Sequence, residues 1–175
     1  LPGEKRGFIP NASVYDKAYH GSWNGLTIIS ISIGQGEVTL TPLQIANLGA
    51  TIANRGYFIT PHVVKEVQGE PLDTLYSKKR YTMVDRSHYD EVIQGMRAAV
   101  LGGTCRGANL PDIEVCGKTG TAQNRGKDHS AFMGFAPMKD PKIAIAVYVE
   151  NGGFGAVYGV PIGRLMIEQY LKGKL

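Results

Sequence analysis

The sequence has 175 residues, 43% of them apolar, and its 19 basic and 15 acidic side chains give a formal net charge of +4. A chain of this size can bury roughly 70% of the surface that its unfolded form exposes, so the composition excludes disorder as the default and fits one globular domain. No apolar run approaches the ~18 residues that a membrane helix needs. Because the first residue is Leu1 rather than Met, we expect an excised or processed piece, whose missing signal peptide says nothing about its compartment.

The first 25 residues carry glycine and proline without a sustained period, and they predict an irregular entry segment over residues 1–25. Residues 26–111 predict a mainly helical part. Its first helix begins after Thr41, with Pro42 at the first helical position, and ends at Gly56. The pattern is typical of a buried helix with a glycine stop.

A second helix is predicted from Ser87 to Gly102, because apolar residues recur there at helical spacing. Between the two helices, residues 62–67 alternate between apolar and polar side chains and predict a short strand. Residues 68–76 predict a turn-rich connector.

Residues 112–175 predict antiparallel strands and a closing helix. Three strand-like runs are joined by Gly, Asn, Asp and Pro turns, and they lie at residues 113–118, 129–136 and 142–149. A glycine-rich segment then leads to a helix from Pro161 to Gly173. This order predicts an α+β fold in which helices cover an antiparallel sheet of about three strands, since no strand–helix–strand alternation recurs.

Charge and cysteine usage exclude two further classes of function. The only basic run, Lys78 to Arg80, lacks interleaved aromatic residues, so we predict no nucleic-acid partner. Cys105, Cys116 and the four histidines lack ligand spacing, and we predict no metal and no cofactor. The two cysteines are compatible with a disulfide in an oxidising compartment or with free buried thiols.

The chemistry concentrates in the string from Gly117 to Gln123, at the end of the first predicted strand. Lys118 supplies a positive charge for a carboxylate, and two threonines supply hydroxyls. Gly120 allows a ligand backbone to approach closely, so that a peptide can bind the strand edge as an added strand. Taken alone, the tripeptide Lys-Thr-Gly is equally compatible with a plain turn after a strand.

Further blocks accompany this string in a fixed order. They are Ile33-Gly34-Gln35-Gly36, Thr41-Pro42-Leu43-Gln44-Ile45-Ala46-Asn47, Ala53-Asn54-Arg55-Gly56, Pro61-His62-Val63-Val64 and Val149-Glu150-Asn151-Gly152-Gly153. Together with Lys118-Thr119-Gly120-Thr121-Ala122-Gln123, they closely resemble the penicillin-binding transpeptidases. The resemblance runs from about Trp23 to the C-terminus and is greatest to the class B enzymes of cell elongation, the penicillin-binding protein 2 group.

The resemblance implies a partial penicillin-binding transpeptidase fold, like that of serine β-lactamases. It also implies a peptidoglycan D,D-transpeptidase that cross-links stem peptides ending in D-Ala-D-Ala and is acylated by β-lactam antibiotics. The parent protein would be anchored in the cytoplasmic (inner) membrane of a bacterium, with its catalytic domain on the periplasmic side.

The same resemblance implies roles for six residues. The catalytic strand motif would be Lys118, Thr119 and Gly120, and the substrate-binding residues would be Thr121, Ala122 and Gln123. Lys118 would help to set proton transfer, and the two threonine hydroxyls would hold the substrate carboxylate. The Thr121 amide would be one of two oxyanion-hole donors.

The family's nucleophile motif, Ser-x-x-Lys, does not occur in the sequence, because none of the seven serines has a lysine three residues on. We therefore expect an inactive C-terminal fragment of a transpeptidase domain. Ser22-Trp23-Asn24 fits the family's Ser-x-Asn motif only formally, and we interpret it as a chance match. His129 and Ser130 are interpreted as plain strand residues, because strand neighbours face opposite sides.

Two further expectations follow. A non-catalytic module that binds peptidoglycan peptides or β-lactams through the Lys-Thr-Gly edge alone is the alternative function. In the family the last strand pairs with a first strand that this sequence lacks, so the edge of residues 142–149 predicts a homodimer. The interpretation as a transpeptidase requires the threonine-rich tip that follows Lys118, Thr119 to Gln123, to line a groove rather than pack in the core.

Overall fold

The computed structural model describes residues 1 and 3–173. They divide into two compact units, residues 3–41 and residues 42–173. The elements in chain order are α1 (Ala12–Tyr19), α2 (Gly25–Ser32), α3 (Pro42–Ala53), β1 (Tyr57–Phe58), α4 (Thr74–Ser77), β2 (Arg80–Tyr81), α5 (Ser87–Leu101), a 3₁₀ turn (Arg106–Ala108), β3 (Cys116–Ala122), β4 (His129–Ala136), β5 (Ile143–Val149) and α6 (Gly159–Lys172). Among the described residues, none of these helices has the length and apolar character to cross a bilayer.

The unit of residues 3–41 holds α1 and α2, and an asparagine begins each helix. The Asn11 side chain accepts a hydrogen bond from the backbone N–H of Val14, and Asn24 caps α2 in the same way. Side-chain oxygens at this position satisfy amides that have no partner within the helix. The prediction of an irregular segment over residues 1–25 is therefore wrong where α1 forms, because one capping side chain, that of Asn11, begins a helix between the surrounding glycines and prolines.

The unit of residues 42–173 is built on a three-stranded antiparallel sheet in the order β3-β4-β5. Its register pairs Thr119 with Phe132, and Phe132 with Val147. Helices lie on both faces of the sheet, which confirms the predicted α+β class and the number of strands.

The two faces of the sheet carry separate cores. On one face, α3 packs on β4 and β5 while α5 packs on β3, and the buried residues are Ala53, Ile93, Met96, Cys116 and Phe135. On the other face, α6 packs on β4 and β5, and the buried residues include Val100, Cys105, Phe132, Ile145, Val160 and Ile167. Strand residues alternate between the two faces, so β3 presents Lys118 to one face and Thr119 to the other.

The predicted helices of this unit are confirmed as α3, α5 and α6. The glycine stop of α3 is confirmed as well, because Gly56 has a φ of +103° and a Cβ there would lie 2.9 Å from the Tyr89 ring. At the start of α5 the N-cap residue is Arg86, whose side chain makes no capping bond. The Asp85 carboxylate instead accepts bonds from the N–H and hydroxyl of Ser87.

Three local predictions need correction. Residues 62–67 form no strand, and Val67 makes only an isolated bridge to Glu70. The connector predicted at 68–76 contains the start of α4. β3 begins at Cys116, three residues later than predicted, and extends through Ala122. Gly117 to Ala122 are therefore part of the strand rather than a turn that follows it, and Gln123 lies just beyond its end.

Candidate functional site

β3 lies at one edge of the sheet, and among the described residues it pairs with β4 alone. The backbone of Thr119 points away from β4. Its carbonyl accepts a 2.7 Å bond from Lys118 Nζ, whereas the carbonyls of its neighbour Gly120 and of Ala131 in β4 lie so close together that one Cβ at Gly155 would meet both. In an antiparallel strand, every second residue directs its N–H and C=O to the same side. The N–H and C=O of Thr121 therefore also point to the outer edge of β3.

The predicted site residues line this outer edge. Lys118 and Gln123 are exposed, and the four residues between them are partly exposed. None of the six is packed in the core, as the sequence interpretation requires. That these residues line a groove stays a prediction. The outer edge thus offers a cation, backbone donors and threonine hydroxyls side by side, which is a surface suited to binding an extended peptide.

Thr119 is held from the side by the segment that follows α5. Its Oγ1 lies 2.8 Å from Oγ1 of Thr104. Burial raises the pKa of the Cys105 thiol and outweighs the neighbouring polar groups of Thr104 and Thr119 and the Lys118 charge, which lower it. The thiol is therefore neutral at physiological pH. Sequence reasoning did not single out Thr104, because side-chain contacts between separate elements leave no local pattern.

The glycine-rich segment after β5 lies against the same part of β3. A Cβ at Gly155 would lie 2.5 Å from the carbonyl oxygen of Ala131 and 2.7 Å from that of Gly120, so only glycine fits there. Ser130 anchors this segment, because its hydroxyl donates to the carbonyl of Phe154 and accepts from the N–H of Gly159, both at 3.1 Å. The segment therefore flanks β3 on the α6 face.

A surface cavity of about 360 Å³ opens beside this segment. Its lining residues are Lys127, Asp128, Gly152, Gly153, Phe154, Val157 and Tyr158. Phe154 is 69% exposed, so the cavity wall carries an accessible aromatic ring. The glycines of the segment were the only sequence signal for this feature.

His129 and Ser130 do not form a catalytic pair. The Nδ1 atom of His129 accepts a 2.9 Å bond from the N–H of Asn151, while Ser130 is fully buried and bonded to the glycine-rich segment. The interpretation of both as structural strand residues is confirmed. Asn24 is likewise occupied, because its side chain caps α2.

The two cysteines are free and buried, so the disulfide alternative is wrong. Burial raises the pKa of Cys116 to about 11. Within residues 1 and 3–173, no three His, Cys, Asp or Glu side chains come together in a way that could hold a metal ion.

Comparison with known proteins places these features in context. The family model described as the penicillin binding protein transpeptidase domain matches residues 1–167. The peptidoglycan D,D-transpeptidase MrdA of Acinetobacter baumannii is 35% identical, over 89% of this chain and 26% of that protein. The chain thus spans about a quarter of the length of this relative.

Two solved structures have the same fold over most of the chain. Penicillin-binding protein 2 of Pseudomonas aeruginosa, in complex with WCK 5153, aligns with a TM-score of 0.86 and 35% identity over 99% of this chain and 39% of that one. The imipenem acyl-enzyme complex of penicillin-binding protein A from Mycobacterium tuberculosis aligns with a TM-score of 0.71 and 34% identity, over 85% of this chain and 34% of that one.

Proposed function

The chain belongs to the penicillin-binding protein transpeptidase family, and from that membership we propose that it is the C-terminal part of the catalytic domain of a peptidoglycan D,D-transpeptidase. The parent protein would cross-link stem peptides and would be acylated by β-lactams. Its relatives support this activity, since they are D,D-transpeptidases and one of them is an acyl-enzyme with imipenem.

The observation that carries the proposal is the outer edge of β3. A stem peptide ending in D-Ala-D-Ala would lie along this edge as an added strand. The outward N–H of Thr121 would then donate to the oxyanion that forms at the scissile carbonyl, where the loss of one donor typically costs ~2.7 to 4 kcal/mol. Thr119 and Thr121 would donate their hydroxyls to the terminal carboxylate.

Lys118 would supply positive charge and assist proton transfer at this edge. Gly120 would leave room for the peptide, while Ala122 and Gln123 would extend the contact toward the end of the strand. A side chain larger than glycine at position 120 would project on the face of Lys118, where its Cβ would lie 3.3 Å from the Cβ of Ala131.

The nucleophile would come from elsewhere in the parent polypeptide. Acyl transfer by this family needs the serine of a Ser-x-x-Lys motif, and the present sequence has none. We therefore propose that residues preceding this chain supply that serine and complete the groove, and that the chain alone is inactive. The parent would be anchored in the inner membrane with this domain on the periplasmic side, where its peptidoglycan substrate lies.

Fluorescent penicillin labelling tests the proposal. The parent polypeptide should be labelled covalently, and this chain alone should not. In the parent, Lys118→Ala should slow labelling by roughly 100-fold or more, as expected for loss of a group that acts in proton transfer. Lys139→Ala is the matched control, because Lys139 is an exposed lysine outside the candidate site, and it should label at the unaltered rate.

Two outcomes would contradict the proposal. Covalent labelling of this chain by itself would show that a nucleophile had been overlooked. If the parent were not labelled, while the chain bound a D-Ala-D-Ala peptide reversibly and Lys118→Ala abolished that binding, the alternative function as a non-catalytic binding module would be correct.

A further inference from the structure

The Thr104 side chain contacts a residue of the candidate site from outside β3. Its Oγ1 lies 2.8 Å from Oγ1 of Thr119, and either hydroxyl can be the donor. Thr104 belongs to neither the Lys-Thr-Gly string nor β3. It lies in the segment that follows α5 and reaches Thr119 from there. The direction of this hydrogen bond decides where the hydroxyl hydrogen of Thr119 points.

The segment around Thr104 is fixed tightly on both sides. Before it, the N–H of Gly103 donates to the carbonyl of Ala99, and a Cβ at Gly103 would lie 2.8 Å from the Cα of Ala99. After it, Cys105 is fully buried and its N–H also donates to Ala99. These contacts hold the backbone on both sides of Thr104 against the last turn of α5, so the segment that brings the Thr104 hydroxyl to Thr119 is fixed in place.

The chemistry of a carboxylate then fixes the direction of the bond. An ionised carboxylate only accepts hydrogen bonds, and a threonine hydroxyl has a single hydrogen to donate. If Thr119 donates that hydrogen to the ligand carboxylate, its oxygen is left to accept from Thr104. Hydrogen bonds in such a chain polarise one another, so the bond from Thr104 also strengthens the one to the carboxylate.

We propose that Thr104 is a positioning residue for carboxylate recognition, which donates to Thr119 Oγ1 and thereby directs the Thr119 hydrogen toward the ligand. This inference rests on the proposed function, in which Thr119 holds the substrate carboxylate. It adds a residue outside the recognised motif, and it predicts an effect that depends on the charge of the ligand.

The test measures the second-order acylation rate constant of the parent polypeptide with a penicillin and with the methyl ester of the same penicillin. Thr104→Val removes the hydroxyl at nearly constant shape and should slow acylation by the free acid about threefold to tenfold, as for one hydrogen bond. Thr104→Ser retains the donor and should keep most of the rate. Acylation by the methyl ester should be slowed less by Thr104→Val than acylation by the free acid, because a neutral ester carbonyl accepts a weaker hydrogen bond from Thr119 than a carboxylate does.

A double-mutant comparison isolates the pair. In a Thr119→Val background, Thr104→Val should have no further effect on acylation by the free acid, because the hydroxyl that it orients is gone. Thr104 is exposed, so the parent polypeptide with Thr104→Val or Thr104→Ser should fold, and thermal unfolding checks this. Thr104→Ala provides a second removal of the hydroxyl.

The possible results separate this inference from the proposed function. An unaltered free-acid rate in Thr104→Val and Thr104→Ala would overturn the inference alone. Equal slowing with acid and ester would also overturn it, because Thr104 would then support the strand without orienting Thr119. If the unaltered parent were not acylated at all, the proposed function would fail and this inference would fail with it.

Discussion

Gly163 of α6 lies directly against the aromatic ring of Phe132 in β4, so that a Cβ on Gly163 would lie 2.5 Å from Cε1 of the ring. Phe132 is almost fully buried, and its ring also occupies the space where Gly117 and Gly134 would carry a side chain. The helix can approach the sheet closely because glycine leaves room for this one large side chain. The packing of α6 therefore depends on Phe132 and the surrounding glycines as a set.

Gly163→Ala should lower the free energy of unfolding of this chain. The added methyl group cannot be accommodated without moving the ring or the helix, and overpacking of this kind typically costs ~1 to 3 kcal/mol. Urea unfolding measures the change. Gly95→Ala is the matched control within α5, because a Cβ there meets nothing within 4 Å, and alanine should raise the stability by up to about 1 kcal/mol. Equal effects of the two substitutions would contradict the role of Phe132.

Ser130→Ala should destabilise the glycine-rich segment that flanks the candidate site. The hydroxyl satisfies the carbonyl of Phe154 and the N–H of Gly159 in a fully buried position, and leaving buried polar groups unpaired costs about 1 to 3 kcal/mol. Urea unfolding reports the loss, and amide hydrogen exchange at Gly159 should become faster. Ser22→Ala, at an exposed serine, should change the stability by less than about 0.5 kcal/mol.

Gly155→Ala should disturb the site strand itself. The new Cβ would meet two backbone carbonyls, those of Ala131 and Gly120, and backbone cannot yield as a flexible side chain does. We expect a loss of ~1 to 3 kcal/mol in unfolding free energy, together with slower penicillin acylation of the parent polypeptide. Gly126→Ala lies in the neighbouring β3–β4 turn with open space around its Cβ. The parent polypeptide with Gly126→Ala should be acylated at the unaltered rate. If Gly126→Ala and Gly155→Ala lowered the acylation rate equally, this steric explanation would be contradicted.

The sequence predicted the elements with strong local signals and missed those set by contacts between distant residues. The helix from Ser87 has apolar residues at helical spacing, and the strand from His129 is a run bounded by turn residues. The structure has both at the predicted places. The start of β3 was misplaced, because its end residues are defined by pairing with Phe135 in β4 rather than by their own pattern. The short helix at Ala12–Tyr19 depends on one capping side chain within an otherwise irregular composition.

The candidate site shows the same division. The Lys118 string was recognised because it is contiguous and belongs to a family pattern. Its environment was not predictable, since Thr104 and Gly155 reach Thr119 from segments that are remote in sequence. The assignment of roles to the string continues to rest on the family resemblance, whereas the accessibility of the outer strand edge is an observation of the structure.

The unit of residues 3–41 should lose stability at alkaline pH through Tyr15. Burial, followed by the 2.8 Å hydrogen bond to Glu37, raises the pKa of Tyr15 from its ordinary value of 10.0 to about 12. A folded-state pKa above the unfolded value gives stability that is complete below pH 10 and is lost as the pH rises toward about 12. Tyrosinate absorbance and circular dichroism, recorded across this range, measure the effect.

Tyr15→Phe should remove this part of the alkaline transition, whereas Tyr170→Phe, at an exposed tyrosine, should leave it in place. The same hydrogen bond, with a second one from Tyr19, lowers the pKa of Glu37. The contribution of Glu37 to stability depends on pH in the opposite direction to that of Tyr15. It is present above the ordinary glutamate pKa and is lost as the pH falls through the lowered pKa. An alkaline transition that is identical in Tyr15→Phe and the unaltered chain would contradict the assignment.

The outer edge of β5 is unpaired among the described residues, because β5 pairs with β4 alone. The outward direction of the Thr119 backbone determines which residues hydrogen-bond across the sheet. Because Thr119 does not bond to its partner Phe132, the N–H and C=O of Phe132 point toward β5, where they bond to Val147. The N–H of Tyr148, the next residue, consequently points to the free edge. An edge of this kind is a template for pairing with a second copy of the chain, so this chain should associate as its concentration rises, as analytical ultracentrifugation can measure.

Tyr148→Pro removes the outward N–H without removing a bond to β4, and should therefore keep the fold while abolishing association. Tyr148→Thr is the control, because it loses the same aromatic side chain but keeps the N–H, and it should still associate. In the parent polypeptide this edge would be covered by another strand of the same domain, so the parent should not self-associate through it. A chain that sediments as a monomer at every concentration, or a Tyr148→Pro variant that associates as well as Tyr148→Thr, would show that the β5 edge does not mediate pairing.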